Sequence, residues 1–498
     1  MEHWDEAMNI SFHLVIPVLL PTCSGLLLGF FRPLREPRAR HNFLIATLAL
    51  NAAVVMGVIL QPDMRLELFR LSDRLPIMLQ TDELARLFCA LTALMFLIVG
   101  IYSPSYMRHE GDEARFHMFY LIVLGMLMGF GFSGNLMTLY LFLEMVTLST
   151  VPLVLHSLKK EATAAAFKYL YYSIAGTSLA LIGFFFIYTY GTTLEFSPGG
   201  ILDTLKIAGR EKQMLTVTLL TVIGFGAKAG MFPLHAWLPA AHPVAPSPAS
   251  AVLSGVITKI GVFAVIRFVY YLVGPDFIRG TWAQTAWISL ALFTVVMGSL
   301  LAFREQELKR RLAYSSVSQV SYIMFGLGTL TADGLIGALM HTIFHSIAKN
   351  ALFLIAGAII LKTHKTGVAE LRGVGKQMPV TLGCFALLAV TLAGIPPASG
   401  FTSKWYLSVG SLAADTGFFT WLGPVVLLSG AMLSAGYLFP IAIRGFFPGA
   451  GYDYDSGKLE PGLSMTIPIL LLTAAAVILG IIPGSLIALC ERIAIGLL

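Results

Sequence analysis

The sequence predicts an all-α polytopic membrane protein, and three observations carry that prediction. Charged residues make up 12% of the 498-residue chain and hydrophobic residues 57%, whereas a soluble domain is about 25% charged. Apolar stretches of about 20 residues, the length that crosses a bilayer, recur from end to end, and the mean hydropathy is +0.80. The basic residues alternate between connections in the pattern of a membrane topology signal. A soluble enzyme is excluded. The formal charge of +6 would suit nucleic acid, but its placement ties it to membrane orientation, and nucleic acid is not expected as a partner.

Read against polar and turn-rich breaks, the apolar runs fall near 11–31, 42–61, 82–104, 116–133, 135–157, 167–190, 213–232, 246–272, 284–303, 312–330, 333–361, 379–408, 419–443 and 464–490, about 14 transmembrane helices. Span 1 is expected to be retained. Met1 to Ile10 carries Glu2, Asp5 and Glu6 without Lys or Arg, unlike the basic start of a cleavable signal peptide. The connections after spans 1, 3, 5, 9, 11 and 13 hold 18 Lys and Arg, from Arg32 to Lys458, against 8 on the opposite side. Such residues collect on the cytoplasmic face, so a multi-pass protein of the inner (cytoplasmic) membrane with both termini outside is expected. An odd number of miscounted spans would scramble this bias.

Charges inside the spans are few. Arg86, Lys168 and Arg267 lie near span ends and are expected to snorkel to water. Lys228, Lys259, Lys349 and Lys404 lie deeper, and Glu144 in LYLFLEMVTLST is the sole mid-span carboxylate, needing a cationic or protonated partner. A charge at bilayer depth costs about 2.5–3.5 kcal/mol on insertion scales, so such residues mark ion or substrate paths. The competing reading is structural, with a lysine capping a broken helix or pairing with Glu144.

Two spans should break. Lys228 sits in IGFGAKAGMFPLHAWLP, where Gly224, Gly226 and Gly230 precede Pro233 and Pro239, and Lys404 follows Pro396, Pro397 and Gly400 in LAGIPPASGFTSKWY. Irregular backbone at membrane depth is tolerated only beside protein or water, and paired interruptions in two halves point to a transport site. The breaks fall in spans 7 and 12, five spans apart, so two five-helix repeats are expected, inverted because each holds an odd number of spans. The chain then divides into helices 1–3 (1–110), a first repeat of helices 4–8 (111–275), a second of helices 9–13 (276–445) and helix 14 (446–498). Ordinary proline kinks are the alternative.

Span 11 reads LIGALMHTIFHSIAKNALFLIAG, with His341, His345 and Lys349 at successive i, i+4 positions on one drifting stripe. Histidine, whose ordinary pKa is about 6.5, takes up and releases protons near neutral pH. Metal ligation and plain packing are the alternatives. The sequence lacks HExxH, and Cys23, Cys89, Cys384 and Cys490 lie far apart without a CxxC pair, excluding an iron–sulfur or zinc site from this chain alone. No catalytic residue, metal or cofactor is expected.

The run WLPAAHPVAPSPASAVLSGVITKIGVFAVIR, with GFGAKAGMFPLHAW before it and GIPPASGFTSKW later, resembles the antiporter-like subunits shared by respiratory complex I, Mrp-type cation/proton antiporters (D-type) and membrane-bound energy-converting hydrogenases. The resemblance covers nearly the whole chain and implies a fourteen-helix fold, inverted repeats and a polar axis at the membrane midplane. It implies that Glu144 is the fifth-helix glutamate, Lys228 the seventh-helix lysine, Lys259 the eighth-helix relay lysine, His345 the eleventh-helix histidine and Lys404 the twelfth-helix terminal lysine. His341 and Lys349 match more loosely. One complex I branch has glutamate where Lys404 stands, so this chain points to the other branches. The sequence stops at Leu498, soon after span 14, so the lateral helix of the largest complex I member is not expected.

The expected function is proton translocation through Glu144, Lys228, Lys259, His341, His345, Lys349 and Lys404 within a larger ion-pumping complex, either complex I-like or an energy-converting hydrogenase. Its expected partners are other membrane subunits and the lipid bilayer. The alternatives are an Mrp-type sodium/proton antiporter subunit without redox coupling, and a scaffold with a vestigial channel. Sodium needs oxygen ligands, which this midplane offers sparsely, so protons are the expected ion here and sodium, if moved, would use a site shared with or located in a partner chain.

Overall fold

The computed structural model describes residues 12–449 and 457–498. The acidic segment Met1 to Ile10, on which retention of span 1 was argued, lies outside the described residues. The described chain is mostly helical. Its helices are α1 (Ile16–Phe30), α2 (Pro37–Ile59), α3 (Glu83–Glu110), α4 (Glu113–Gly131), α5 (Leu136–Val154), α6 (Lys160–Tyr190), α7 (Glu211–Ala229), α8 (Ser247–Val273), α9 (Trp282–Arg304), α10 (Leu308–Gly328) and α11 (Ala332–Thr363). Then follow α12a (Pro379–Ala393), α12b (Ser399–Ala413), α13 (Phe418–Phe446), α14a (Leu463–Ile481) and α14b (Gly484–Leu497). Ten of the described helices are long and apolar enough to cross a bilayer.

Local chemistry sets the helix ends. Glu36 precedes Pro37 and accepts the Ala39 N–H at 2.6 Å; hydrogen bonds from the Ala39 and then the Arg38 backbone hold its carboxyl below the usual range. Asp82 caps α3 by accepting the Ala85 N–H at 2.8 Å, and Asn135 caps α5 through Thr138 at 2.8 Å. One element departs from the all-helical expectation: an antiparallel hairpin of β1 (Arg65–Arg70) and β2 (Pro76–Gln80), with Leu66 opposite Leu79. Its strands are short, and β1 keeps most of its side chains exposed, so the alternation of RLELFR was hidden inside a polar connection.

The described residues form two compact units, one from residues up to Gly224 together with Phe263–Phe277, the other from Phe225–Val262 together with Ile278–Gly496. In the first unit α1 lies close against α4. A Cβ on Gly125 would stand 2.0 Å from Thr22 Oγ1 and 2.5 Å from the Val18 carbonyl, so only glycine permits this approach. Van der Waals contact of this kind drives helix association in lipid.

Arg267 corrects an expectation. It does not snorkel: its side chain is 2% exposed, and its guanidinium grips Asp82 with two hydrogen bonds, Nη2 to Oδ1 at 2.9 Å and Nη1 to Oδ2. Tyr271 donates to the same carboxylate at 3.2 Å. The rings of Tyr271, Phe196 and Phe263 surround the cation at 4.5, 4.9 and 5.0 Å. A guanidinium enclosed by aromatic faces and paired with carboxylate is stabilised without water although its Nε has no hydrogen-bond partner among the described residues, which is why it can withdraw from the membrane edge.

The second unit is built around α11, buried along nearly all its length. Against it packs α10, in which every residue except Arg310 and Tyr314 is buried although it carries Ser315, Ser316, Ser318, Gln319 and Ser321. Such a polar helix suits membrane depth only when sheathed by protein. Its serines bond neighbours, as Ser318 does with Ser299 at 2.8 Å and Ser316 with Ser254 at 2.7 Å.

Removing one partner of the Asp82–Arg267 pair strands the other charge. Arg267→Leu should lower stability by about 3–5 kcal/mol, and Asp82→Asn, which keeps the cap on Ala85, combined with Arg267→Leu should recover most of that loss. Thermal unfolding of the purified protein checks this; a single variant as stable as the double would contradict it.

Candidate functional site

Helix α7 stops at Ala229, one residue past the buried Lys228, because Gly230 takes φ +81° and a Cβ there would meet Leu238 Cδ1 at 2.2 Å. At the interruption the Ala227 carbonyl accepts the Gly230 N–H at 3.2 Å and the Trp237 indole N–H at 2.7 Å. The expected break is present, and a side chain from the same motif satisfies it.

Helix α8 changes pitch where it carries the next lysine. Leu253–Ile257 forms a π turn in which the Thr258 N–H reaches back to the Leu253 carbonyl. Just beyond it, Lys259 Nζ lies 2.7 Å from the Ser254 carbonyl, 3.3 Å from Thr258 Oγ1 and 2.6 Å from His345 Nδ1. Three acceptors match the three protons of an ammonium. In that state His345 is neutral and carries its hydrogen on Nε2. Moving one proton across the 2.6 Å contact leaves an amine facing an Nδ1–H, so the pair can share a proton in either direction. The buried Nε2 of His345 has no hydrogen-bond partner, leaving that edge open to a further carrier.

One turn earlier on α11, the His341 ring stacks with His345 at 6.1 Å between centroids and with Tyr322 at 5.6 Å. His341 Nδ1 lies 2.9 Å from Ser403 Oγ and Nε2 lies 3.1 Å from Gln319 Oε1. Beside Ser403, Lys404 is 8% exposed. Its Nζ donates to the Leu392 and Ala393 carbonyls at 2.6 and 3.1 Å, and it sits 5.2 Å from the centre of the Tyr322 ring. Those carbonyls end α12a, where Gly394 at φ +77° terminates the helix. The second break therefore solvates Lys404 with protein oxygen. A largely apolar cavity of about 430 Å³, lined in part by Lys404, Trp405 and Met432, opens beside it.

Lys349 turns elsewhere. Its Nζ donates to the Leu312 carbonyl at 3.0 Å and to Ser315 Oγ, so it is held by α10, and no hydrogen bond joins it to the Lys259–His345 contact among those described. In the first unit, Glu144 is half-buried on α5, hydrogen-bonded by Tyr140 one turn before it, which also bonds Thr177 of α6. The structure thus brings Lys259 and His345 into contact and seats His341 beside the residue preceding Lys404. Ser254, Gln319, Tyr322 and Ser403 complete these surroundings and went unrecognised in the sequence. A signal existed in the polar run YSSVSQVSY of α10, whose serines and glutamine are unusual within a span.

Residues 133–429 match the family described as "NADH:quinone oxidoreductase/Mrp antiporter, TM". The chain is 32% identical over 423 residues to NADH-quinone oxidoreductase subunit N of Desulforudis audaxviator, covering 82% of each chain. It is 33% identical over 341 residues to hydrogenase-4 component B of Escherichia coli, covering 66% of this chain and 50% of that one. A chain of the Mrp complex from a Dietzia species superposes with a TM-score of 0.84 at 23% identity, over 98% of this chain and 97% of that one, and has the same fold.

Trp237→Phe keeps an aromatic ring but leaves the Ala227 carbonyl at the α7 break without the indole. It should cost about 0.5–1.5 kcal/mol, read as an earlier thermal transition of the purified protein. An unchanged transition would mean that the Gly230 N–H alone satisfies that carbonyl.

Proposed function

The chain belongs to the family of membrane subunits shared by NADH:quinone oxidoreductases and Mrp antiporters, and from that premise we propose that it carries protons across the bilayer as one membrane subunit of a larger ion-pumping complex, complex I-like or hydrogenase-type. The observation that carries the reading is the 2.6 Å contact between Lys259 and His345, continued by His341 toward Lys404. Every group in that line can hold a proton in one state and a lone pair in the other.

Proton transfer runs between Lys259 and His345 and between His341 and Lys404, with Lys349 as a side station on α10. Lys228 at the first break and Glu144 on α5 are further members of the path. Residues 111–275 and 276–445 are inverted repeats, a division supported by the two breaks at Gly230 and Gly394. The excess of Lys and Arg in alternate connections supports a cytoplasmic membrane location with both termini outside. The redox chemistry of the assembly belongs to partner subunits, and this chain's contribution is the proton path.

A second reading, a subunit of an Mrp-type sodium/proton antiporter without redox coupling, draws on the likeness to the Mrp complex chain. Under both readings the path through this chain carries protons. The carbonyls of Ser254, Leu392 and Ala393, which could ligate sodium, already accept from lysine.

The test is reconstitution of the assembled complex in sealed vesicles with separate proton and sodium readouts. Lys259→Ala and Lys404→Ala should each reduce proton transport by about 100-fold, the low end of what a positioned proton-transfer group contributes, with the subunit still assembled. Combined losses should fall far short of additive because the groups act in series. Normal proton transport in assembled Lys404→Ala would remove the relay; loss of sodium flux alone would place the sodium route here. Glu144→Gln should also impair pumping, and an unaltered rate would reduce Glu144 to a structural part.

A further inference from the structure

His341 is a symmetric base in isolation, but its surroundings distinguish its two nitrogens. Nε2 faces Gln319 Oε1 at 3.1 Å. The other end of that amide, Gln319 Nε2, donates to Ser434 Oγ at 3.2 Å. Ser434 has its own outlet, the Gly430 carbonyl at 2.8 Å. The Tyr437 hydroxyl is a second neighbour at 3.1 Å. A carbonyl only accepts, and whether the Ser434 hydrogen goes to Gly430 or to Tyr437 its oxygen is left to accept from the amide. That polarity turns the carbonyl oxygen of Gln319 toward His341, where it in turn can only accept. Nε2 of His341 therefore keeps its hydrogen in both charge states. Gln319 and Ser434 are fully buried and His341 is 2% exposed, so water does not compete for these bonds from the surface.

The nitrogen that gains and loses a proton is then Nδ1, and it faces Ser403 Oγ at 2.9 Å. Ser403, fully buried, has a second acceptor for its one hydrogen in the Gly400 carbonyl at 3.1 Å. With His341 neutral, the hydroxyl donates to Nδ1. With His341 protonated, Nδ1–H donates to Oγ and the hydroxyl hydrogen swings to Gly400. Both states are satisfied, and the only atom displaced is one hydrogen.

We propose that Gln319, oriented by Ser434, locks the tautomer of His341, and that the Ser403 hydroxyl carries its exchangeable proton toward Lys404. In the transfer step the Nδ1–H bond of the imidazolium breaks as a bond to Oγ forms, and the original O–H bond breaks as its proton passes to the lone pair of the Lys404 amine. Imidazolium, serine and amine become imidazole, serine and ammonium, and total charge is conserved. Gln319 and Ser434 are positioning residues here, since neither gives up a proton.

This inference rests on the proton reading above, and one experiment separates their failures. The assembled complex is reconstituted in sealed vesicles with Ser403→Ala, Ser403→Thr, Gln319→Leu or Lys404→Ala, and proton transport is measured at matched subunit content. Ser403→Ala and Gln319→Leu should reduce it by about tenfold or more, while Ser403→Thr, which restores a hydroxyl at the same position, should keep most of the wild-type rate. If Lys404→Ala abolishes transport but Ser403→Ala runs at the wild-type rate, the Ser403 assignment is overturned and the relay stands. Equal losses in Ser403→Ala and Ser403→Thr would also overturn it, because the hydroxyl would then not matter. Wild-type transport in Lys404→Ala would overturn both inferences.

Discussion

An ammonium that cannot reach water must find its acceptors in protein, and in the second unit Lys259, Lys309, Lys349 and Lys404 meet that requirement with backbone carbonyls. A regular helix has few to spare, since its carbonyls bond four residues ahead and keep only a second lone pair. The chain obtains most of them by disturbing its helices. A π turn stands before Lys259 beside the Ser254 carbonyl, and the end of α12a exposes two carbonyls to Lys404. Lys349 uses the Leu312 carbonyl, which also accepts from Ser315 and Ser316. Glycines, prolines and serines in the apolar sequence are, on this view, the solvent of the buried charges.

The kind of partner decides whether a buried charge can be mobile. Arg267 is matched by a carboxylate and enclosed by aromatic faces, and a guanidinium does not lose its proton. That pair joins the start of α3 to α8 across 185 residues of sequence and acts as a fixed clasp. Lys259 and His345 meet without a carboxylate between them. Neutral dipoles stabilise an ammonium without holding it as a counter-charge would, and the neighbouring base offers the proton an alternative seat. The same bilayer cost therefore yields an anchor in one unit and, in the function proposed, a proton station in the other.

Polarity within α10 and α11 follows from their enclosure. Hydroxyl and amide groups such as Ser316 and Gln319 would be costly against lipid, but each is paired with a group on another helix. Because every hydrogen in such a network has few acceptors, directionality propagates: the acceptors at Gly430 and Tyr437 set the sense of Ser434, and through Gln319 the sense of His341. Small buried hydroxyls can in this way determine the behaviour of the larger titratable groups.

By itself the sequence determined the elements whose causes are local. Apolar runs of spanning length, the glycines and prolines that end α7 and divide α12a from α12b, and the depth of Lys228, Lys259, Lys349 and Lys404 can be read without tertiary information, because hydropathy and backbone stiffness act over a few residues. The family motif added the roles expected of those lysines. Only the tertiary structure decided which acceptor each lysine meets. His345 lies 86 residues from Lys259, Lys349 turns to α10 rather than along its own stripe, and Arg267 withdraws from the membrane edge because Asp82 and three rings receive it. The hairpin between α2 and α3 was hidden for a related reason, since strand pairing depends on a partner segment. Hydrogen bonds at membrane depth are made between distant segments, and their geometry exists only once the helices have packed.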